Sequence, residues 1–110
     1  MTVVKQTIGS NKPAAAEVTQ DMINEWKQKF GGVFKYTAED GKTAYFRAAD
    51  RKTAGLASTA PDAVAGNEIL AKNCFIAGDE CIVNDDRYFF GLSAHLPKYL
   101  KAKQGESLEL

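Results

Sequence analysis

The sequence predicts an α+β fold in which a small β-hairpin packs against about four helices, with an extended N-terminal arm. Two observations carry this prediction. Apolar and polar residues alternate on both sides of Asp40-Gly41, as in a two-stranded hairpin. Longer segments before and after the hairpin carry apolar residues at helical spacing, and each opens with a residue type that caps helices.

Length and charge narrow the class of protein. The 110 residues suffice for one domain with a single modest core. Fourteen basic and fourteen acidic residues leave no net charge, so we expect neither nucleic acid nor a membrane as the main partner. No apolar run approaches the ~20 residues of a transmembrane helix, and the opening residues lack the apolar core of a signal peptide. Cys74 and Cys81 fit a reduced compartment better than a disulfide framework.

The charge is unevenly placed along the chain. Residues 1–55 hold nine basic and six acidic residues, a net of +3, whereas residues 56–110 hold five and eight, a net of −3. Such an asymmetry fits head-to-tail self-association of copies, or simply two solvated faces.

The chain is predicted to divide into three parts. Residues 1–16 form an extended arm, strand-like at 2–8, with too few apolar residues for a core of its own. Such an arm is either disordered alone or ordered on a neighbouring subunit. Residues 17–103 form the single α+β domain, and residues 104–110 form a frayed C-terminal tail.

The first helix is predicted to begin after Thr19, a good N-cap, and to end at Gly31-Gly32, which supplies a left-handed stop. Lys27 and Lys29 suit its C-terminal end. The apolar face that we expect in the core consists of Met22, Ile23, Trp26 and Phe30.

The hairpin follows this helix, with Asp40-Gly41 as its turn because glycine takes the positive φ that other residues avoid. Phe34, Tyr36 and Phe46 share one face, which we expect to be buried against helices. An isolated two-stranded hairpin is marginal in water, so it needs those helices or an added strand. The N-terminal arm or a partner chain could supply that strand.

Asp50 is predicted to cap a short helix through about Thr59. Pro61 is expected to open the next helix, which covers about 62–75 and ends at Ala77-Gly78.

A loop containing Cys81–Val83 is then expected, followed by a last helix from about Asp86. Because Pro97 falls inside the apolar pattern of this helix, we predict a kink or restart near Ala94–His95. Its apolar stripe consists of Tyr88, Phe89, Leu92, Leu96, Tyr99 and Leu100.

No residue set has a recognisable catalytic, cofactor-binding or metal-binding pattern. His95, the only histidine, lies on an apolar stripe and is expected to be structural or solvent-facing. The two cysteines lack the spacing of zinc and redox motifs, and the acidic segment 79–86 lacks the ligand pattern of a calcium loop. We therefore predict no enzyme; the remaining enzyme hypothesis is a pocket that combines His95 with Asp85 or Asp86.

The candidate partner surface is the second face of the hairpin, with its free edge and the start of the next helix. Tyrosine and arginine are favoured at protein interfaces, which supports a docking surface for protein. The alternative is a small nucleic-acid-binding accessory protein, whose basic residues, including Lys42, contact phosphates while tyrosines stack on bases. The residues of the candidate partner surface are Lys35, Tyr45, Arg47, Arg51 and Lys52.

Several short motifs also occur in a characteristic order. The sequence YFRAADRK at 45–52 ends the hairpin, and NEIL at 67–70 is followed by Asn73-Cys74. A Gly78–Glu80 turn then precedes a helix that opens at Asp85-Asp86. This order resembles the small tail-assembly-chaperone-like proteins of tailed phages.

The resemblance covers about residues 20–100, and it departs from the family where a proline expected after Arg47 is Ala48 or Ala49. It implies a non-enzymatic role in phage morphogenesis, as an assembly chaperone or as a virion structural protein. The implied partners are other phage structural or assembly proteins, or further copies bound through the arm or hairpin edge. The implied location is the host cytoplasm during assembly, or the virion. Contacts are expected from the hairpin, from the arm, and from Tyr88, Phe89, Phe90 and Tyr99.

Overall fold

The structure, a computed structural model, describes residues 12–100 and 104–110. These residues form five α-helices, a three-stranded antiparallel sheet in the order β1-β2-β3, and two 3-10 helices. The predicted α+β class is confirmed, with one strand and one helix more than expected. In chain order the elements are a 3-10 helix at Ala15–Glu17, α1 (Gln20–Phe30), β1 (Val33–Thr37), β2 (Thr43–Arg47), α2 (Arg51–Ser58), α3 (Ala63–Cys74), β3 (Phe75–Gly78), α4 (Cys81–Asn84), α5 (Asp86–Ser93) and a final 3-10 helix at Leu96–Tyr99.

Both ends of α1 are set by local interactions. The Thr19 hydroxyl accepts a hydrogen bond from the Met22 N–H at 3.2 Å, which satisfies one of the free donors of the first turn. Gly31 ends the helix with a φ of 81°, a left-handed conformation that costs glycine no steric strain. The predicted start and end of this helix are confirmed.

β1 and β2 form the predicted hairpin. Phe34 lies opposite Phe46 and Tyr36 lies opposite Ala44, while Gly41 takes a φ of 94° in the turn. Phe46 is fully buried, and the two β1 aromatics pack half-buried against the core. The predicted buried face of the hairpin is therefore confirmed for Phe46 and in part for Phe34 and Tyr36.

α2 and α3 are each capped by an aspartate. The Asp50 carboxylate accepts a hydrogen bond from the Thr53 N–H, and the Asp62 carboxylate accepts one from the Ala65 N–H, both at 2.8 Å. Pro61 was expected as the first residue of α3 but instead precedes the cap. It still breaks the chain between the two helices, since its ring prevents α2 from continuing.

The predicted helix over about 62–75 is confirmed to within one residue at each end, but its predicted stop at Ala77-Gly78 is wrong. The helix α3 ends at Cys74, and the next four residues form β3, which pairs antiparallel with β2. Phe75 and Ala77 are buried in this strand while Ile76 is half-buried. Pairing with β2 decides the conformation here, because four residues are too few for a local pattern to define a strand.

The predicted loop at Cys81–Val83 is wrong as well. These residues begin α4, a single helical turn whose Ile82 is fully buried in the core. A run of three apolar residues shows no helical period, so its burial rather than its pattern identifies the turn.

The last predicted helix is interrupted where Pro97 requires it. α5 ends at Ser93, and the chain restarts at Leu96 as a 3-10 helix with the proline in its first turn. The predicted break near Ala94–His95 is therefore confirmed. The interruption turns Leu96 and Tyr99 into the core, where both are buried.

One hydrophobic core lies between the sheet and the helices after it. Phe46 is at its centre, stacked on Tyr99 with ring centroids 5.2 Å apart and edge-on to Phe75 at 5.9 Å. On the other side of the sheet, α1 packs through Trp26, whose ring centroid lies 6.2 Å from that of Tyr45. The sheet is thus covered on both faces. The buried core residues are Ala44, Phe46, Leu70, Ala71, Cys74, Phe75, Ile82, Phe89, Leu92, Leu96 and Tyr99.

The predicted arm is described only from Lys12 onward, and its predicted strand at 2–8 lies outside the described residues. The Pro13 carbonyl accepts a hydrogen bond from the Gly78 N–H at 2.9 Å. Lys12 Nζ donates to the Phe75 carbonyl at 3.0 Å. The described end of the arm therefore lies along the outer side of β3.

Candidate functional site

The five residues of the predicted partner surface do not form one open surface. Tyr45 is 8% exposed, because Trp26 covers it. Lys35, Arg51 and Lys52 are exposed. The Lys35 ammonium lies 6.0 Å from the centroid of the Tyr45 ring, so its side chain leans over the neighbouring strand.

Arg47 is held within the fold. Its guanidinium lies 5.3 Å from the centroid of the Phe30 ring, and its Nε donates to the Asn73 carbonyl at 3.3 Å. It also forms an ion pair with Asp50 at 3.5 Å. Because Tyr45 is covered, this face lacks the free tyrosine that stacking on a nucleic-acid base would need. Arg47 is engaged in contacts within the chain.

The aromatic residues of the last helices have mixed roles. Phe89 and Tyr99 are buried, and Tyr88 is half-buried. Phe90 is 61% exposed, beside Val64 on α3. Of the four aromatic residues predicted to make contacts, Phe90 is the one that projects into solvent.

His95 has a packing role. Its ring lies edge-on to the Tyr36 ring, with centroids 5.4 Å apart. Asp85 accepts a hydrogen bond from the Arg87 N–H at the start of α5. Among the interactions of residues 12–100, no hydrogen bond or ion pair joins the His95 side chain to Asp85 or Asp86.

The two cysteines are free thiols held in their neutral form. Burial raises the pKa of Cys74 to about 11. Burial, followed by the charge of Asp79, also raises the pKa of Cys81. Since the thiolate is the nucleophile and the metal ligand, neither cysteine is activated. Within the part of the chain that the structure describes, no group of three or more His, Cys, Asp or Glu side chains is placed to hold a metal ion.

The most distinctive surface feature is the outer edge of β1. The Ala48 N–H donates to Gly32 O and the Ala38 N–H donates to Lys42 O. These two bonds, one at each end of the hairpin, show which residue pairs of β1 and β2 are hydrogen-bonded to each other. Even-numbered residues of β1 therefore bond to β2, whereas odd-numbered ones direct their N–H and C=O groups away from it. Within residues 12–100 and 104–110, no hydrogen bond to these outward groups is found. The outward groups belong to Val33, Lys35 and Thr37.

A groove runs beside this edge. We call it the edge groove; it is lined by all of β1 together with His95, Lys98 and Tyr99, and has a volume of about 550 Å³. Its floor is aromatic, since Phe34 stacks on Tyr99 with ring centroids 4.5 Å apart. Lys98 is exposed at its rim. The edge groove thus places unpaired backbone groups beside apolar rings and a positive charge.

One end of the edge groove lies near the hairpin turn, which is tied to α5. The Tyr88 hydroxyl donates a hydrogen bond to the Asp40 carboxylate. This bond lowers the pKa of Asp40 and raises that of Tyr88 to about 12. The turn is thereby held against the helix, and β1 keeps a defined position at the edge of the sheet.

The sequence predicted a free hairpin edge but not which strand carries it. β2 is occupied by β3, and the described end of the arm lies along the outer side of β3. Along the outer side of β1, by contrast, no hydrogen bond from the described residues is present, so this edge is open within the described sheet. The pairing of β2 with β3, which links residues distant in the chain, decides this.

The chain matches no protein-family model, no curated protein and no solved structure. Across the described ranges, no helix combines the length and the apolar character that crossing a membrane requires.

Proposed function

We propose that this chain is a non-enzymatic assembly protein that acts through protein–protein contacts, with the edge groove as its main contact surface. The open edge of β1 is the observation that carries the proposal. A row of unpaired N–H and C=O groups is a ready template for an added strand. Strand addition of this kind takes its affinity from main-chain hydrogen bonds and its specificity from pockets beside the edge, here the aromatic floor.

The setting we propose is the assembly of a tailed phage. The order of motifs between Tyr45 and Asp86 resembles small tail-assembly-chaperone-like proteins and supports this setting. The partners would then be capsid, connector or tape-measure subunits, met in the host cytoplasm during assembly or retained in the virion. Mass spectrometry of purified particles separates the two roles, because a virion subunit stays in the particle whereas a chaperone leaves it.

The first prediction tests the open edge directly with Lys35→Pro. The Lys35 N–H points away from β2, so a proline there removes no ladder hydrogen bond of the sheet. It does remove the central donor for an added strand. We expect the wild-type chain to co-purify with co-expressed phage subunits encoded beside it, and Lys35→Pro to lose this capture.

Lys35→Ala is the matched control, because it removes the same side chain and keeps the N–H. We expect it to retain capture, and both variants to keep the wild-type circular dichroism spectrum. Equal capture by a folded Lys35→Pro variant would show that the edge is not the contact surface. Failure of the wild-type chain to bind any of these subunits would count against the phage setting.

A further inference from the structure

The tail, residues 104–110, is exposed along its length and has no regular secondary structure. Leu108 is 81% exposed and Leu110 is fully exposed, which is unusual for large apolar side chains. In an extended strand, neighbouring side chains point to opposite faces. Leu108 and Leu110 would then share one face with Glu106, and Glu109 would lie on the other. This alternation is typical of a half-buried strand.

The β1 edge shows a matching alternation. Phe34 and Tyr36 lie on the face that forms the floor of the edge groove. Lys35 lies on the opposite face, where its ammonium is close to the Tyr45 ring. A strand added to β1 would continue both faces of the sheet, one with the aromatic floor and one that carries Lys35.

We propose that residues 106–110 of one copy add as a strand to the β1 edge of a second copy. The leucines of this strand lie in the edge groove, against the aromatic floor. This inference deepens the proposed function and rests on it, since it names a second copy of the chain as the occupant of the same surface.

Charge complementarity supports this occupant. When Leu108 and Leu110 enter the groove, Glu109 lies on the face of the sheet that carries Lys35. Glu106 shares the leucine face, where Lys98 is exposed at the rim. The pairing of Glu109 with Lys35 is favourable because opposite charges then lie on neighbouring strands, and Glu106 lies on the face of the groove that Lys98 borders.

The contact joins two copies because the structure shows no docking of the tail within one chain. None of residues 104–110 is hydrogen-bonded to β1, and all of them are exposed. The net charges of +3 in residues 1–55 and −3 in residues 56–110 also favour contact between copies. Each copy offers one edge and one tail, so reciprocal exchange closes a dimer, whereas one-way exchange produces a ring or an open filament.

The first test is the mass of the native chain by native mass spectrometry and sedimentation. The wild-type chain is expected at a multiple of 12.0 kDa. The Leu108→Asp/Leu110→Asp variant is expected to be monomeric, with association weakened by about tenfold or more. Leu56→Asp, which places the same charge on an exposed leucine of α2, should leave the mass unchanged. An oligomer that persists in the tail variant overturns the inference.

Charge reversal tests the pairing of Lys35 with Glu109. Lys35→Glu and Glu109→Lys should each weaken association alone, because like charges then face each other across the added strand. An equimolar mixture of the two variants should restore it, since every edge then meets a tail of opposite charge. A mixture that stays as weak as its components overturns the proposed register.

Amide hydrogen exchange gives a position-specific readout. In the wild-type chain, the outward N–H groups of Val33, Lys35 and Thr37 should exchange about tenfold or more slowly relative to the tail variant. The N–H groups of Phe34 and Tyr36 bond to β2 in both proteins and serve as internal references. Equal exchange of the outward N–H groups in both proteins overturns the inference. Slow exchange of these groups in a monomeric wild-type chain also overturns it, because the tail would then pair with the β1 edge of its own copy.

Failure here is distinguishable from failure of the proposed function. A monomeric wild-type chain that still captures phage subunits through its β1 edge overturns self-association alone. A self-associating chain that captures no such subunit supports this inference and contradicts the phage setting.

Discussion

Gly78, at the end of β3, shows how one residue holds a strand in the sheet. Its φ is 112°, and a Cβ atom there would lie 2.4 Å from Thr43 O and 2.6 Å from the Ala44 Cα. Glycine therefore meets two requirements, a positive φ and a close approach of two backbones. The position joins β3 to β2 at the point where the Pro13 carbonyl also binds.

We predict that Gly78→Ala lowers the free energy of unfolding by about 2–4 kcal/mol, because it adds backbone strain and a steric clash. Gly55→Ala is the matched control: Gly55 lies inside α2 with no neighbour within 4 Å of the added Cβ. It should raise stability by about 0.5–1 kcal/mol through helix propensity. Urea unfolding measures both, and equal effects of the two changes would contradict this account.

Tyr45 shows that alternation within a strand predicts which residues share a face but not what covers that face. The pattern correctly separates Phe34, Tyr36 and Phe46 from Tyr45 and its neighbours, because successive side chains point to opposite faces. It does not reveal what covers the second face. α1 packs there through Trp26, and a predicted contact residue becomes a buried one.

At the scale of elements, α4 shows that one short turn can be structurally important. Ile82, on the turn that follows β3 in the chain, is fully buried in the core, whereas Ile76 on β3 is half-buried. We predict that Ile82→Ala lowers the free energy of unfolding by about 2–5 kcal/mol, because it leaves a cavity that close-packed neighbours fill poorly.

Ile76→Ala makes the same chemical change at the less buried site and should have a clearly smaller effect. Thermal and urea unfolding of the two variants provide the comparison. Equal losses would contradict the greater burial of Ile82.

The elements that could be predicted are those with local signals. Thr19, Asp50 and Asp62 each accept a hydrogen bond from an N–H of the turn that they cap, and Gly31 and Gly41 adopt positive φ. Each of these hydrogen bonds joins residues three positions apart, and each positive φ belongs to a single glycine, so the sequence displays these features directly.

For the molecule as a whole, two helix-capping carboxylates are expected to contribute to the pH dependence of stability. Asp50 and Asp85 have lowered pKa values, first because of hydrogen bonds from the Thr53 and Arg87 N–H groups. A carboxyl group whose pKa is lower in the folded chain stabilises the fold above its unfolded value of about 4. That stabilisation is lost as the pH falls below about 4 and through the folded pKa.

We predict that the double variant Asp50→Asn/Asp85→Asn loses less stability at low pH than the wild-type chain does. Asparagine caps helices about as well as aspartate but does not titrate. Between about pH 7 and about pH 3, the urea midpoint should therefore fall less in this variant than in the wild-type chain. An identical fall in both proteins would show that these two caps do not contribute to acid sensitivity.

The sequence by itself determined the α+β class, the hairpin with its turn, the limits of α1 and the break before the final 3-10 helix. Each follows from hydrogen bonds, backbone angles or side-chain periods that span a few residues. The tertiary structure decided that residues 75–78 form a strand, that Ile82 belongs to the core, and that α1 covers Tyr45. It also decided which edge of the sheet is left open. These outcomes depend on pairing across long separations, as in the bond from the Thr43 N–H to Asp79 36 residues away. Local patterns cannot specify such contacts, because the free energy that selects them comes from burial and pairing in the assembled fold.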